Sequence, residues 1–438
     1  MTGSNSQTPS HYRALQGVDH IESAFALLRA RRPERGLDRL PYLAVQCVEL
    51  IYFNVAHLFD RMSALPQTGE AFFLSSLRLL SWTDELLELA FGFARLVGAL
   101  RGGNAEPREG FQSPAAIQFA QAYDRTQARL LAIASAEPDR FREAIEIGGL
   151  SDPLALCIHN LKNIFHLNNV VSDKLAILAD REALLRSDEL RRAVFEMEGD
   201  QDSFLMQFRL LHQIPELCAL FISETVSECE TDLADRELFG VVEKLDAVNN
   251  VFLLVIQCNR PLRNLMLPSE YYRIRHYFGR TSGAQSVAVS KNLLGKSYLR
   301  FATLVRELAS STEKPPGIRA VLRATQALGN MIADWRLMHL SFPRNLLGGF
   351  GTASLAGSPD GLEATKSMLR AFESKDPLSY PGTKVWPPAL PPGAALDEAL
   401  LKMTALVTQT KYADLQLRSM PDAENFGSHE QIADDFTR

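Results

Sequence analysis

Apolar residues recur at steps of three and four along most of the chain, the spacing that puts them on one face of a helix. Ile21, Phe25 and Leu28 begin the pattern, and Tyr42 to Leu58 is apolar nearly all round, as a buried core helix would be. Glu70 to Leu100 predicts another long helix, and Pro114 to Ala134 a further one. The Gly102, Gly103, Asn104 and Pro107 cluster between them predicts a loop over 101–113. Gly148, Gly149, Ser151 and Pro153 mark the next break, and helical spacing then continues to about 312. After Lys314–Gly317 comes a long helix from Ile318 to Leu347, then a Gly/Ser-rich loop over Gly348–Gly361. Six prolines between Pro377 and Pro392 admit neither helix nor central strand. A last helix is expected over Ala394–Leu417. No segment alternates convincingly between apolar and polar residues, so the expected class is all-α, a helical bundle.

The boundaries that follow are a disordered tail over 1–10, a helical N-terminal region over 11–150, a second helical domain over 151–376, and a Pro-rich segment with C-terminal helix and tail over 377–438. Composition narrows the classes. Over 438 residues, 46% hydrophobic and 22% charged positions describe a globular protein, and a net charge of -6 disfavours nucleic acid as a partner. The arginines at 29, 31, 32 and 35 are expected on a solvated surface. Cys47, Cys157, Cys218, Cys229 and Cys258 form no C-x-x-C pair and are odd in number, which fits reduced thiols in the cytoplasm. The polar N-terminus carries no signal core. No run of about 18 apolar residues appears, so no membrane span is expected.

Four segments carry candidate chemistry. Leu328, Ile332, Trp335, His339, Phe342 and Leu346 share a helix face, placing His339 in an apolar stripe. Phe204, Phe208 and His212 repeat that arrangement, and Pro215 is expected to kink or break their helix. From spacing alone, each histidine reads first as a core residue. Tyr271 and Arg275, one turn apart in an aromatic and basic helix, suit a planar carboxylate ligand, and a surface cation–π pair fits the same spacing. The segment Gly348–Gly357 permits close backbone approach but follows a helix, so it is neither a Rossmann fingerprint nor a P-loop. His159 and His166 share a helix face without an identifiable third ligand, and structural roles are expected for both.

In this order, the segments resemble the tryptophan 2,3-dioxygenase superfamily of histidine-ligated haem oxygenases. The motifs are Phe208-Arg-Leu-Leu-His212-Gln213-Ile-Pro-Glu216-Leu217, Tyr271-x-x-x-Arg275 running into Ser282-Gly283-Ala284-Gln285-Ser286, and Trp335-Arg336-Leu-Met-His339 followed by Gly351-Thr352-Ala353-Ser354. They span about 200 to 362, and residues 1–200 have no counterpart. Ala353-Ser354 stands where the family has two glycines, and Ala284 where it has an aromatic residue. The resemblance implies haem b, with His339 as the iron ligand and Trp335, Ser282 and Gly283 at the cofactor. His212 would be the distal catalytic residue and Phe208 a wall of the pocket. Arg275 and Tyr271 would hold the substrate carboxylate, and Thr352 its amino and carboxylate end. The implied activity is O₂-dependent oxygenation of tryptophan or a related aromatic amino acid by a homo-oligomer. The alternatives are a haem-dependent mono-oxygenase or oxidase of an indole or phenol, and a non-catalytic helical interaction protein.

Overall fold

The structure, a computed structural model, describes residues 13–14, 16–31, 36–63, 70–100, 113–136, 153–175, 187–195, 203–266, 286–346 and 378. Among them there are helices, turns and no strand, so the described part is all-α as the periodicity predicts. In chain order the helices are α1 Val18–Arg31, α2 Gly36–Ser63, α3 Glu70–Leu100, α4 Pro114–Ala136, α5 Pro153–Leu175, α6 Ser187–Phe195, α7 Ser203–Ala234, α8 Leu238–Gln257 and α9 Asn259–Leu265. A π-helix, Val287–Ser297, leads into α10 Tyr298–Ser310, and α11 runs from Ile318 to Leu346. The expected tail over 1–10, the Pro-rich segment apart from Leu378, and the helix over 394–417 lie outside the described residues.

The helix α2 is the hub. Residues 40 to 59 are buried almost without exception, and α1, α3, α4, α6 and α7 all pack on it. Gly36–Met62 is long and apolar enough by composition to cross a membrane, although no long unbroken apolar run marks it in the sequence. Here the whole of its most apolar window is buried against the protein's own helices. Tyr52 stacks on Phe119 of α4 at 5.4 Å, and Phe53 meets Phe195 of α6 edge-on at 5.9 Å. These aromatic contacts add directionality to burial worth about 25 cal/mol per Å² of apolar surface. Glu49, fully buried within α2, accepts the Ala115 N–H at 3.1 Å, so a carboxylate meets the positive end of α4. Ser113 caps the same end, accepting the Ala116 N–H at 3.1 Å.

The second centre is α7. It packs on α2, forms an antiparallel hairpin with α8, and carries the π-helix on another side. The hairpin turn is a Schellman motif. The Glu237 N–H donates to the Asp232 carbonyl at 2.8 Å and the Arg236 N–H to Leu233 at 3.3 Å, with Arg236 left-handed at φ 64. An arginine in that conformation costs about 1 kcal/mol that glycine would not. Pro215 lies inside α7, which continues through it to Ala234, so the helix does not break there. Its lost hydrogen bond and ring clash cost about 3 kcal/mol, which packing along both α2 and α8 outweighs.

On the far side of α8 lies α11. Leu238 at the start of α8 lies against Gly317, and the Asn249 amide donates to the Ala324 carbonyl at 3.2 Å. Farther on, Phe252 meets Trp335. The contacts advance together, so α8 and α11 run in parallel and both oppose α7. One hydrophobic core includes residues from α1 through α11, on both sides of position 150.

Candidate functional site

The helix α7 places Phe208 and His212 one turn apart on one face. Their rings meet at 4.5 Å between centroids with 38° between planes, and Phe208 is buried. His212 Nδ1 lies 2.7 Å from the Phe208 carbonyl oxygen. A carbonyl only accepts, so Nδ1 carries the proton and donates, and in the neutral ring Nε2 holds the lone pair. Burial pulls the His212 pKa below the ordinary histidine range, and the bond to the carbonyl opposes this with a smaller effect. The result is a half-buried imidazole that is neutral at pH 7 and fixed in one tautomer.

Around this pair, α7 is polar where a core helix would be apolar. Arg209 and Glu216 are buried, two turns apart with Gln213 between them on one stripe. The Gln213 amide donates to the carbonyls of Ala193 at 2.6 Å and Gln16 at 3.1 Å, tying α7 to α6 and to the residues before α1. Gln207 is fully buried, and among the described residues neither its amide oxygen nor its nitrogen has a hydrogen-bond partner. At this end of the bundle α9 packs on α3, α7, α8 and α11. Glu85 of α3 holds it there, accepting from Asn264 at 3.2 Å and pairing with Arg260 at 3.0 Å.

Trp335 sits on α11 against Phe252, with ring centroids 6.4 Å apart and planes at 71°. Leu328 and Ile332, earlier on the same stripe, are fully buried. Burial pulls Arg336 down to about 10, so it stays charged at neutral pH. Position 339 lies in the last third of α11. Because α11 runs against α7, that part of α11 and the His212 turn fall at the same end of the α7–α8–α11 layer. The side chain of His339 lies outside the described residues, as do Tyr271, Arg275, Ser282, Gly283 and Thr352. The structure therefore brings Phe208 and His212 together, puts Trp335 against α8, and leaves the remaining candidates undescribed.

Sequence reading missed several buried polar groups. Besides Gln207 and Arg209, these are Gln46, Glu49, Asn54 and His57, all buried on α2. His57 faces Phe195 at 6.4 Å. The signal was present: these four residues interrupt the otherwise apolar stretch from Tyr42 to Leu58. His159 and His166 are exposed on α5, and the Asn163 amide lies 3.2 Å from His159 Nε2. All five cysteines are buried and none is in a disulfide. Among the described residues no three His, Cys, Asp or Glu side chains converge as a metal site. Haem requires no such convergence, since its porphyrin supplies four of the iron ligands. Compared with family models, curated proteins and solved structures, the chain matches none.

Proposed function

We propose that this chain is a cytosolic haem-dependent oxygenase acting on tryptophan or a related aromatic amino acid. The observation that carries the reading is His212, held neutral against Phe208 with its proton fixed on Nδ1 by the Phe208 carbonyl. A haem pocket needs that chemistry on its distal side: an apolar wall, and a histidine that stays uncharged beside the ligand-binding face. Haem b, when bound, supplies the oxygen chemistry. His339 is the residue assigned to hold it, with Trp335, Ser282 and Gly283 beside it.

The chain's own residues orient the substrate. Arg275 and Tyr271 take its carboxylate, and Thr352 its amino and carboxylate end. Phe208 excludes water from the ring, and His212 Nε2 accepts a hydrogen bond from the ring N–H. Holding both partners in register is the proximity contribution to rate. The favoured reaction inserts both oxygen atoms across the indole C2–C3 bond, and the runner-up inserts one.

The test is an absorption spectrum of the full chain reconstituted with haem, for wild type, His339→Ala and His212→Ala. The expected result is a Soret band that His339→Ala abolishes or shifts, and that His212→Ala keeps while turnover falls. Labelled O₂ then reads one or two oxygen atoms in the product. A wild type without a Soret band overturns the reading and favours a helical interaction protein.

A further inference from the structure

An open cleft of about 520 Å³ lies at the other half of α7, where α1, α2 and the π-helix meet it. It begins at Ser223, eleven residues from His212, or about 16 Å along the helix. It is therefore separate from the oxygenase reading and does not depend on it.

Its two walls differ in how their charges are engaged. On one, Glu224 is paired with Arg39 at 2.6 Å and Arg29 at 3.4 Å. Glu228 accepts the Gly36 N–H at 2.8 Å and pairs with Arg39 at 3.4 Å and Lys244 at 3.5 Å. Both carboxylates are thereby neutralised. The other wall is the π-helix, which contributes Asn292, Lys296 and Ser297. Within the described structure these three side chains make no hydrogen bond and no ion pair. On the floor, the Ser223 hydroxyl is shielded from solvent and also lacks a hydrogen-bond partner. The lining carries three cations, Arg29, Arg39 and Lys296, against two carboxylates, so one positive charge is in excess.

The π-helix is the second observation. Eleven residues of this wide turn are rare, because its hydrogen-bond geometry is poorer than that of an α-helix, and such turns concentrate at functional positions. Its N-terminus is firmly capped, with Ser286 accepting the Val289 N–H at 2.9 Å. Asn292, Lys296 and Ser297, spaced four and five residues apart on the wide turn, line the cleft together with Arg29.

We propose that this cleft binds a small oxyanion, the phosphate or carboxylate group of a metabolite. The Lys296 ammonium and the outer Arg29 guanidinium supply charge, and Asn292, Ser297 and Ser223 donate the hydrogen bonds they do not make within the chain. A cation is disfavoured because the carboxylates are already matched. A nucleic acid is disfavoured because a single excess charge gives too little counterion release. The anion joins α1 and α7 to the π-helix, so binding stabilises the fold by mass action.

The experiment measures thermal unfolding and calorimetric binding on the full chain, with inorganic phosphate and with acetate, at ionic strength matched by sodium chloride. Wild type is compared with Lys296→Met, Arg29→Met and, as a control, Lys314→Met in the α10–α11 turn. Lys296 is exposed, so Lys296→Met should match wild type in chloride alone. One anion should raise the wild-type midpoint saturably, and Lys296→Met should weaken its affinity about tenfold, the loss of one charge-assisted hydrogen bond. Lys314→Met should leave it unchanged. Whichever anion binds more tightly identifies the group. If Lys296→Met unfolds, Arg29→Met carries the same comparison. A non-saturable effect of both anions, or equal affinities in wild type and the cleft variants, overturns the proposal.

Discussion

The two halves of α7 solve the problem of buried polarity in opposite ways. Around His212 the helix sets its imidazole against a carbonyl and an aromatic ring, and burial favours the neutral form. From Glu224 onward, carboxylates at i, i+4 and i+8 meet Arg39, Arg29 and Lys244 from other helices as ion pairs. The first arrangement makes a poised neutral base. The second makes a clamp, because breaking it leaves charges behind. A single helix can carry both because its ends contact different neighbours: α6 and α9 toward His212, α1, α2 and the π-helix toward Glu224.

The largest effect should come from breaking the clamp. Only 6% of the Arg39 side chain is exposed, and it serves both Glu224 and Glu228. Arg39→Met removes a buried partner and leaves two carboxylates facing each other. The expected loss is about 3 kcal/mol in urea unfolding, the scale for breaking a buried pair when its carboxylates keep some access to water. Arg39→Met combined with Glu224→Gln and Glu228→Gln should recover part of that loss. A single variant as stable as wild type would show that the ladder is decoration.

The neutral half makes the opposite prediction, in pH. The His212 pKa is lowered in the folded state, so below the unfolded value of about 6.5 the unfolded chain binds more protons. Stability contributed by the neutral ring is complete above that value and is lost as pH falls through the window beneath it. His212→Leu should remove this dependence, making the fall between pH 6.5 and 5 shallower by up to about 1.4 kcal/mol per pH unit. His159 is shifted in the same direction by burial and Lys162, so the readout is the difference between wild type and variant. Parallel curves would mean that His212 titrates as an ordinary histidine.

How much of this the sequence shows depends on range. Helix boundaries were legible because periodicity and breakers are local: Glu70–Leu100 and the start of α11 after Gly317 fall where the pattern puts them. Pro215 was read as a kink or break because its cost is local, whereas the packing that keeps α7 continuous comes from α2 and α8. Phe208 and His212 were legible as neighbours because four residues make a helical turn. The clamp was not, since Arg39 and Glu224 are 185 positions apart and nothing beside either names the other. Arg29 was expected on a solvated surface; its side chain is 63% exposed and still reaches Glu224.

A smaller effect sharpens the clamp's geometry. A Cβ at Gly36 would lie 2.6 Å from Glu228 Oε2, so only glycine lets the α2 N-terminus come close enough to donate its N–H. Gly36→Ala should cost roughly 1 kcal/mol, because Glu228 is tied to Arg39 and Lys244 and cannot simply swing aside. Neutral stability here would show that the ion pairs alone hold the carboxylate.

The smallest effect concerns the middle of α7, where the two regimes meet. Cys218 is fully buried and hydrogen-bonded to Cys47 of α2, and burial holds its thiol well above the usual range. Cys258, at the end of α8, is raised for the same first cause. Cys229 lies nearer the clamp and is pushed up to about 12 by burial, with Lys244 pulling against it. Cys218 in the middle of the helix follows the neutral rule, and so does Cys229 within the charged half, beside Lys244 of α8. Thiol-disulfide reagents attack thiolates, so native protein should show no rapid thiol titration at pH 8, and raising the pH to 9 should accelerate it little. Reaction should appear only with denaturant, at a rate that follows opening of the core. Fast reaction of Cys229 alone would show that Lys244, not burial, governs that thiol.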